Sequence, residues 1–316
     1  MAQTATSPAG DFWAITTYFN PARYRRRLSN FKIFRKYLNV PLLAVEWSYS
    51  DDFELQDHDA DILVRLHGGA VLWQKERLLN LALKALPNSC HKVAWLDCDI
   101  IFQQDNWAQS ASMLLDRVSL VQLFKCVHHL QEHWRPGFPT TDVERSRPSV
   151  AYMVSSGMSA VNSFTKAAQS DDEVPSRGFA WAAHRELLDR HGFYDACIIG
   201  SGDGAPVSAG YGCVDAFMDR QYMNEPQRRR FLAWAEPFRE TVKAEIAVLE
   251  TDILHLWHGS RADRAYVARH EGMQQFGFDP FKDIVIEENG SWGWNTDKPD
   301  MHDYVRNYFL SRREDG

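Results

Sequence analysis

The alternation of strand-like and helix-like segments near the start of the chain constrains its fold most. FWAITTYF (12–19) is rich in aromatic and β-branched residues, which favours a buried strand. Asn20 and Pro21 have the residue types of a helix cap and first turn, and apolar residues follow at helical spacing, so a helix is predicted over 21–38. PLLAVEW (41–47) indicates a second strand. Strand–helix–strand units pair their strands in parallel, which predicts an α/β protein.

The same alternation continues along the rest of the chain. Further strands are predicted at 62–66, 93–96, 118–127 and 247–257, and further helices at 73–86, 181–190, 228–244, 260–275 and 302–313. Two polar stretches, 131–149 and 163–177, are predicted to be loops that could border a site. No internal repeat or low-complexity linker divides the sequence, so one elaborated domain is expected.

Composition narrows the class of protein. The 316 residues are 45% hydrophobic and 24% charged, which suits a soluble globular chain, and the formal net charge of −7 makes nucleic acid a poor default partner. No apolar stretch is long enough to predict a transmembrane helix, and the first ten residues lack the features of a signal peptide. The five cysteines show no CxxC pair, so we expect reduced thiols in a cytoplasmic protein.

Two carboxylates follow a predicted strand in VAWLDCDIIF (93–102). Ligands of α/β proteins bind beyond the carboxyl ends of strands, where Asp97 and Asp99 are placed. With period-two alternation, both side chains are expected on one side, where their charges repel. A divalent cation would relieve this repulsion, and oxygen ligands suit Mg²⁺ or Mn²⁺. The alternative is that both aspartates are solvated residues that cap the next turn.

One enzyme class with such a DxD segment is the haloacid-dehalogenase-type phosphatase. It expects threonine or valine two residues after the second aspartate, where this chain has Ile101. It also expects a later GDxxxD segment, but the nearest match, Gly202-Asp203, is followed by Val207 at the acidic position. The sequence therefore lacks a necessary part of that class.

The segment WQKERLLNLALKALPNSCHKVAWLDCDIIF (73–102) resembles another class, the nucleotide-sugar glycosyltransferases of the GT-A type. In these enzymes a helix with a basic residue and an asparagine precedes the metal-binding strand and lies over the donor nucleotide. The opening strand and the acid that ends the second strand are similar as well. The resemblance implies that the donor is bound by Thr16, Thr17, Glu46, Lys75, Asn80 and Asp97.

The segment GFAWAAHRELLDRHGFYDACIIGSGDGA (178–205) resembles the acceptor side of such transferases. There a glycine-rich turn often reads GGED, whereas Gly200 to Asp203 here carry a single acid. The resemblance implies that Asp203 binds the acceptor hydroxyl or acts as general base, and that Gly202 lets the backbone approach a sugar. The alternative for Asp203 is a turn aspartate bonded to its own backbone. Trp181 is expected either to stack on an acceptor sugar or to fill the core from an amphipathic helix.

The segment DILHLWHGS (252–260) runs off a predicted strand with two histidines. GT-A enzymes commonly take a further metal ligand from a late histidine, and the resemblance extends to this stretch. His255 and His258 are three residues apart, so on an extended strand they face opposite ways. We therefore expect one of them to join Asp97 and Asp99 at the metal, with His258 preferred at the strand end and His255 as the alternate.

The resemblance implies one GT-A (Rossmann-like) domain over 11–290, with a mixed, mainly parallel sheet flanked by helices. Its nucleotide-binding half is expected at about 11–127 and its acceptor half at about 150–260, while 291–316 form a C-terminal helical tail packed on the same domain. The segment NGSWGWNTDKPDMHDYVRNYFLSRRED (289–315), which contains most of this tail, resembles the tail of uncharacterised bacterial and viral transferases.

The implied activity is hexosyl transfer from a nucleoside-diphosphate sugar, most commonly a UDP-sugar, with Mn²⁺ or Mg²⁺. The acceptor hydroxyl could belong to a glycan, a lipid-linked glycan or a small molecule, and both inverting and retaining transfer stay open. Two alternatives are a metal-dependent phosphatase or nucleotidyltransferase on a similar sheet, and a non-catalytic carbohydrate-binding protein. The second is consistent with the eleven tryptophans. The sequence does not indicate an oligomeric state.

Overall fold

The computed structural model describes residues 10–140, 142–164 and 174–316. Within these ranges the strands are β1 (Phe12–Phe19), β2 (Leu42–Ser48), β3 (Ile62–His67), β4 (Lys92–Leu96), β5 (Ile100–Phe102), β6 (Leu120–Gln122), β7 (Cys126–Leu130), β8 (Val143–Pro148), β9 (Ala180–His184), β10 (Ile246–Val248), β11 (Asp252–His255), β12 (Ile284–Ile286) and β13 (Trp292–Trp294). The helices are α1 (Arg25–Tyr37), α2 (Lys75–Ala85), α3 (Trp107–Leu115), α4 (Val150–Ser155), α5 (Arg185–His191), α6 (Gly204–Tyr211), α7 (Val214–Arg220), α8 (Glu225–Val242), α9 (Ala268–Met273) and α10 (Pro299–Ser311).

A seven-stranded sheet in the order β10-β6-β9-β4-β1-β2-β3 forms the centre of the molecule. Strand β1 pairs in parallel with β2 and β4, and β2 pairs in parallel with β3. Strand β9 runs antiparallel between β4 and β6. The sheet is therefore mixed and mainly parallel, and helices flank it. This confirms the predicted α/β class.

The core covers both faces of the central sheet because side chains alternate along its strands. On β1, Ile15 and Phe19 belong to one buried cluster, and Phe12, Ala14 and Tyr18 belong to another. The C-terminal helix α10 contributes to the first cluster through Met301, Val305 and Phe309, among others. The molecule is one domain whose C-terminal helices pack on its main core.

A second sheet in the order β5-β11-β7-β8 lies beyond the end of β4. Strand β11 pairs antiparallel with β5, so that His255 lies opposite Ile100. This pairing brings the late histidine segment beside the residues that follow the Asp97–Asp99 turn. It also shows that the predicted strand 118–127 is two strands, β6 in the central sheet and β7 in the second. The predicted strand 247–257 divides in the same way between β10 and β11.

Four other predictions need correction. The helix predicted over 260–275 is interrupted: a 3₁₀ turn at Ala262–Arg264 ends at Ala265, whose φ is +45°, and α9 begins only at Ala268. The first helix begins at Arg25 and not at 21, because Asn20 closes a turn by bonding both the N–H and the carbonyl of Tyr24. The segment predicted as a helix over 181–190 is strand β9 followed by α5, since β9 pairs with β4 and Trp181 lies opposite Trp95. The stretch 131–149 contains β8, where arginine and polar residues alternate, rather than loop alone.

The other predicted loop, 163–177, lies partly outside the described residues. In the parts of the chain that the structure describes, no helix combines the length and apolar character needed to cross a membrane.

Candidate active site

A cavity of about 240 Å³ opens at the carboxyl ends of β1 and β4, where the central and second sheets meet. Thr16, Thr17, Asp97 and Asp99 line it from these strand ends, and Lys75 lines it from the start of α2. The opposite walls come from β7, β8, β11, the turn before α6, and the C-terminal segment. The predicted strand-end position of the site therefore coincides with a real cavity.

Asp99, His255 and His258 form a compact group on the cavity wall. One ligand atom from each lies within 4.8 Å of the others. The Nε2 atom of His258 is 3.2 Å from Asp99 Oδ2, and the Nε2 atom of His255 is 3.7 Å from Asp99 Oδ1. Both histidines, and not one alone, therefore lie near Asp99: β11 ends at His255, and the Nε2 atoms of His255 and His258 are 2.9 Å apart.

Burial sets the charge state of this group. It raises the pKa of Asp99 to about 6 and lowers the pKa of His255 to about 3, while His258 is lowered well below its usual value. Asp99 Oδ1 is buried and has no hydrogen-bond partner among the described residues. A desolvated carboxylate beside two neutral imidazoles is a ligand set that fits a divalent cation.

A third histidine, His129, contacts His255 on the side away from Asp99 and so supports this group. The Nδ1 atom of His129 lies 2.9 Å from the Nδ1 atom of His255, while the Nε2 atoms of His255 and His258 are 2.9 Å apart. The contact to His129 engages Nδ1 of His255 and turns its Nε2 towards Asp99. Such a second contact fixes the orientation and tautomer of a ligating histidine.

Asp97 lines the same cavity but has a different partner. Its carboxylate lies 2.5 Å from the ammonium group of Lys75, and its backbone N–H donates to the carbonyl of Phe179. Burial raises the pKa of Asp97, and Lys75 opposes this rise. In this structure, Asp99 thus faces the histidines while Asp97 is paired with a cation.

Asp203 lines the same cavity, directly before α6, on the other side of Lys75 from Asp97. Its Oδ1 atom is 3.7 Å from Lys75 Nζ. Burial acts to raise the pKa of Asp203, but Lys75 and other donors outweigh it, so that the pKa lies below its usual value. Asp203 is consequently ionised at neutral pH and can accept a hydrogen bond or a proton.

Thr16 and Thr17 line the cavity. The hydroxyl of Thr16 donates to the carbonyl of Leu96 at 2.7 Å and so ties β1 to the end of β4. Glu46, by contrast, does not line the cavity. Its Oε1 atom accepts the backbone N–H groups of Glu54 and Leu55, which holds the loop after β2.

Asn80 is also outside the cavity. Its side-chain oxygen accepts the N–H of Phe193 at 2.7 Å, and its amide donates to the carbonyl of the same residue at 3.0 Å. These bonds attach α2 to the segment after α5. Asn80 therefore has an internal structural role, and its predicted role in donor binding stays a prediction.

The two predicted acceptor residues are buried. Trp181 is 2% exposed, stacks on Trp95 and donates its indole N–H to the carbonyl of Arg177, which leaves no ring face for a sugar. A Cβ atom on Gly202 would lie 2.3 Å from the carboxyl group of Glu76. The close approach at Gly202 is therefore to a protein side chain, and neither residue lines the cavity.

Sequence reasoning missed the strongly basic lining of the cavity. Four acidic side chains line it, whereas the basic ones number ten: Arg27, Lys75, Arg145, Arg147, Arg177, Arg220, Arg261, Arg264, Arg269 and Arg312. The formal net charge of −7 describes the whole chain and gives no indication of this local excess of positive charge. The repeated arginines in HGSRADRAYVARH (258–270), directly after the histidine segment, are a signal that could have indicated it.

The C-terminal segment supplies a buried counter-charge. The Glu314 carboxylate is 3.1 Å from both Arg27 and Arg264, and 2.7 Å from Arg312. Arg264 also contacts the ring and the carbonyl of His258. Glu314 therefore holds arginines from α1 and from the chain after β11 against the wall that carries Asp99.

No protein-family model and no curated protein sequence matches this chain. Among solved structures, glucosyl-3-phosphoglycerate synthase of M. tuberculosis overlaps at TM-score 0.41 with 13% identity, over 91% of this chain and 88% of that one. A mannosyltransferase of Pyrobaculum calidifontis overlaps at TM-score 0.39 with 15% identity, over 87% and 67%. S. aureus TarS residues 1–349 overlap at TM-score 0.36 with 12% identity, over 96% and 71%. Overlaps at this level do not assign a function to the chain.

Proposed function

We propose that this protein is a metal-dependent glycosyltransferase of the GT-A type that moves a sugar from a nucleoside-diphosphate sugar to an acceptor hydroxyl. One observation carries the proposal. The Asp99–His255–His258 group and the ionised Asp203 line one basic cavity at the carboxyl ends of parallel strands. Such a cavity offers a cation site, cationic side chains for a diphosphate and a carboxylate for an acceptor hydroxyl.

The residues at the cation site fit Mn²⁺ better than Mg²⁺, because Mg²⁺ prefers oxygen ligands and imidazole suits transition metals. Asp99, His255 and His258 would hold the ion. When bound, it would supply Lewis-acid neutralisation of the charge on the departing nucleoside diphosphate.

The protein side chains account for the remaining steps. Lys75, between Asp97 and Asp203, places a positive charge beside both donor and acceptor regions. Asp97 is positioned to accept hydrogen bonds from a ribose or from water, and Thr16 and Thr17 border the base region. Asp203 takes the proton of the acceptor hydroxyl if transfer is inverting, or orients that hydroxyl if transfer is retaining.

The donor class is part of the proposal, with UDP-sugars as the first to test. The acceptor is a hydroxyl compound such as a glycan, a lipid-linked glycan or a small metabolite. We place the reaction in the cytoplasm, since all five cysteines are free thiols, as is usual in reducing compartments.

Nucleotide binding tests the donor site. The melting temperature should rise with one nucleoside diphosphate only when Mn²⁺ is present, because ligands that bind the folded state raise it by mass action. Asp99→Asn should abolish this rise, and His255→Ala and His258→Ala should each weaken it. Asp105→Asn, the same change at an exposed carboxylate outside the cavity, is the matched control. An undiminished rise in Asp99→Asn would contradict the metal assignment.

Product analysis separates the transferase from the alternatives. A transferase releases a nucleoside diphosphate and glycosylates the acceptor, a phosphatase releases phosphate, and a carbohydrate-binding protein turns over nothing. If Asp203 is the base, Asp203→Asn should lower turnover by roughly 10² to 10⁴-fold while nucleotide binding is retained. Turnover near that of the wild type would rule out the general-base role.

A further inference from the structure

The cavity has a wall formed by Ser201, Arg220 and Arg269 beside Asp203, which we name the acceptor wall. Arg269 on α9 is its centre, and only 6% of this residue is exposed. In the described parts of the chain, no carboxylate lies within ion-pair distance of Arg269. Its guanidinium group instead bonds neutral groups: the hydroxyls of Ser201 and Tyr308, the carbonyl of Arg264 and the Nε2 atom of His270.

The turn before α6 presents a hydroxyl to this guanidinium group. Ser201 has a φ of +71°, a conformation that non-glycine residues rarely adopt. Its Oγ atom lies 2.5 Å from Arg269 Nη2 and 3.0 Å from His270 Nε2. Burial and the adjacent arginine lower the pKa of His270 well below its usual value, so its ring is neutral. Strained backbone held by tertiary contacts is often found at ligand sites.

The positive charges of the cavity fall into two groups. Arg27 and Arg264 lower the pKa of Asp99, and Glu314 balances this first group. Arg177 and Arg269 lower the pKa of Asp203 and form the second group, while Lys75 acts on both aspartates. A donor diphosphate beside Asp99 would occupy the first group, which leaves the acceptor wall as a separate cationic region.

We propose that the acceptor wall binds an anionic group, a phosphate or a carboxylate, carried by the acceptor. Buried arginines generally pair with anions, and a guanidinium group beside a hydroxyl matches the oxygens of either group. Its place beside Asp203 would bring a neighbouring hydroxyl of the same molecule to that carboxylate. The identification of the bound molecule as the acceptor rests on the proposed function. The anion site itself rests only on Arg269 and Ser201.

Titration calorimetry with inorganic phosphate and with acetate tests the site. The protein is first saturated with UDP and Mn²⁺, whose binding is measured separately, so that the donor region is filled. We expect phosphate or acetate to bind this complex, and glycerol, which is neutral, not to bind. The tighter of the two anions identifies the group: phosphate points to a phosphorylated acceptor, and acetate to a carboxylic acid.

Substitutions assign the binding to the acceptor wall. Arg269→Gln should weaken anion binding by about tenfold or more, the scale of a lost charge-assisted hydrogen bond. Ser201→Gly removes the hydroxyl and relieves the positive φ, so it should fold normally and weaken binding about threefold. It keeps the test valid if Arg269→Gln does not fold. Arg190→Gln, at an exposed arginine outside the cavity, is the matched control.

Two results would overturn the inference. The first is loss of anion binding in the presence of UDP and Mn²⁺, which would assign the anion to the donor region. The second is wild-type anion affinity in both Ser201→Gly and folded Arg269→Gln. Failure of UDP and Mn²⁺ to bind would instead count against the proposed donor class. In that case the same anions are titrated into the protein alone, and the two variants still decide whether the site exists.

Discussion

Replacing Glu314 with glutamine tests whether the C-terminal segment is part of the folded domain. The carboxylate is 1% exposed and faces three arginines, Arg27, Arg264 and Arg312. Glutamine keeps the shape but removes the negative charge, so that three guanidinium groups remain together without their counter-charge. Removing one partner from a buried ion pair typically costs about 3–5 kcal/mol.

This loss can be expressed as a change in melting temperature. At roughly 2.1 cal/mol/K of unfolding entropy per residue, 316 residues give about 0.7 kcal/mol/K. The expected decrease is therefore roughly 4–7 °C, measured by calorimetry and supported by urea unfolding at neutral pH. Glu186→Gln, which removes an exposed acid paired with Arg190, should leave the midpoint unchanged. A Glu314→Gln midpoint equal to that of this control would refute the reasoning.

Two further predictions concern α2. Burial raises the pKa of Glu76 to about 8. Between pH 4.5, the usual pKa of a glutamate, and pH 8, the folded protein therefore keeps a proton on Glu76 that the unfolded chain has lost. Stability should therefore fall as the pH rises towards 8, by up to about 1.4 kcal/mol per pH unit. Urea unfolding from pH 5 to 9 should show a flatter profile for Glu76→Gln, and identical slopes would contradict the shift. Asn80→Ala should cost about 1–3 kcal/mol of unfolding free energy because it leaves Phe193 without its partner, while calorimetry shows unchanged affinity for UDP with Mn²⁺. Weaker nucleotide binding at unchanged stability would restore the donor role.

The sequence determined the elements that depend on local pattern. Strand β1 has the predicted bounds, and β2 to β4 and α2 lie within one or two residues of theirs. Apolar periodicity and turn residues act over a few neighbouring positions, so the elements that depend on them can be predicted from the sequence alone. The position of the two aspartates at a strand end followed from the same local pattern.

The tertiary structure decided which side chains share an environment. Whether Trp181 faces a sugar or the core depends on Trp95 across the sheet, and the position of Asn80 depends on Phe193. The sequence pattern around each residue is equally compatible with both outcomes, because the deciding contact lies far along the chain.

The candidate active site also depends partly on local sequence and partly on tertiary structure. Asp99 was recognisable from its own segment, but the convergence of both histidines on it follows from the pairing of β11 with β5 and from the path of the chain after β11 ends at His255. Glu314 meets Arg27 across 287 residues of sequence. Local residue types determined which chemistry the chain could offer, whereas long-range pairing and burial determined which groups meet and with what charge, because both depend on neighbours that only the folded chain supplies.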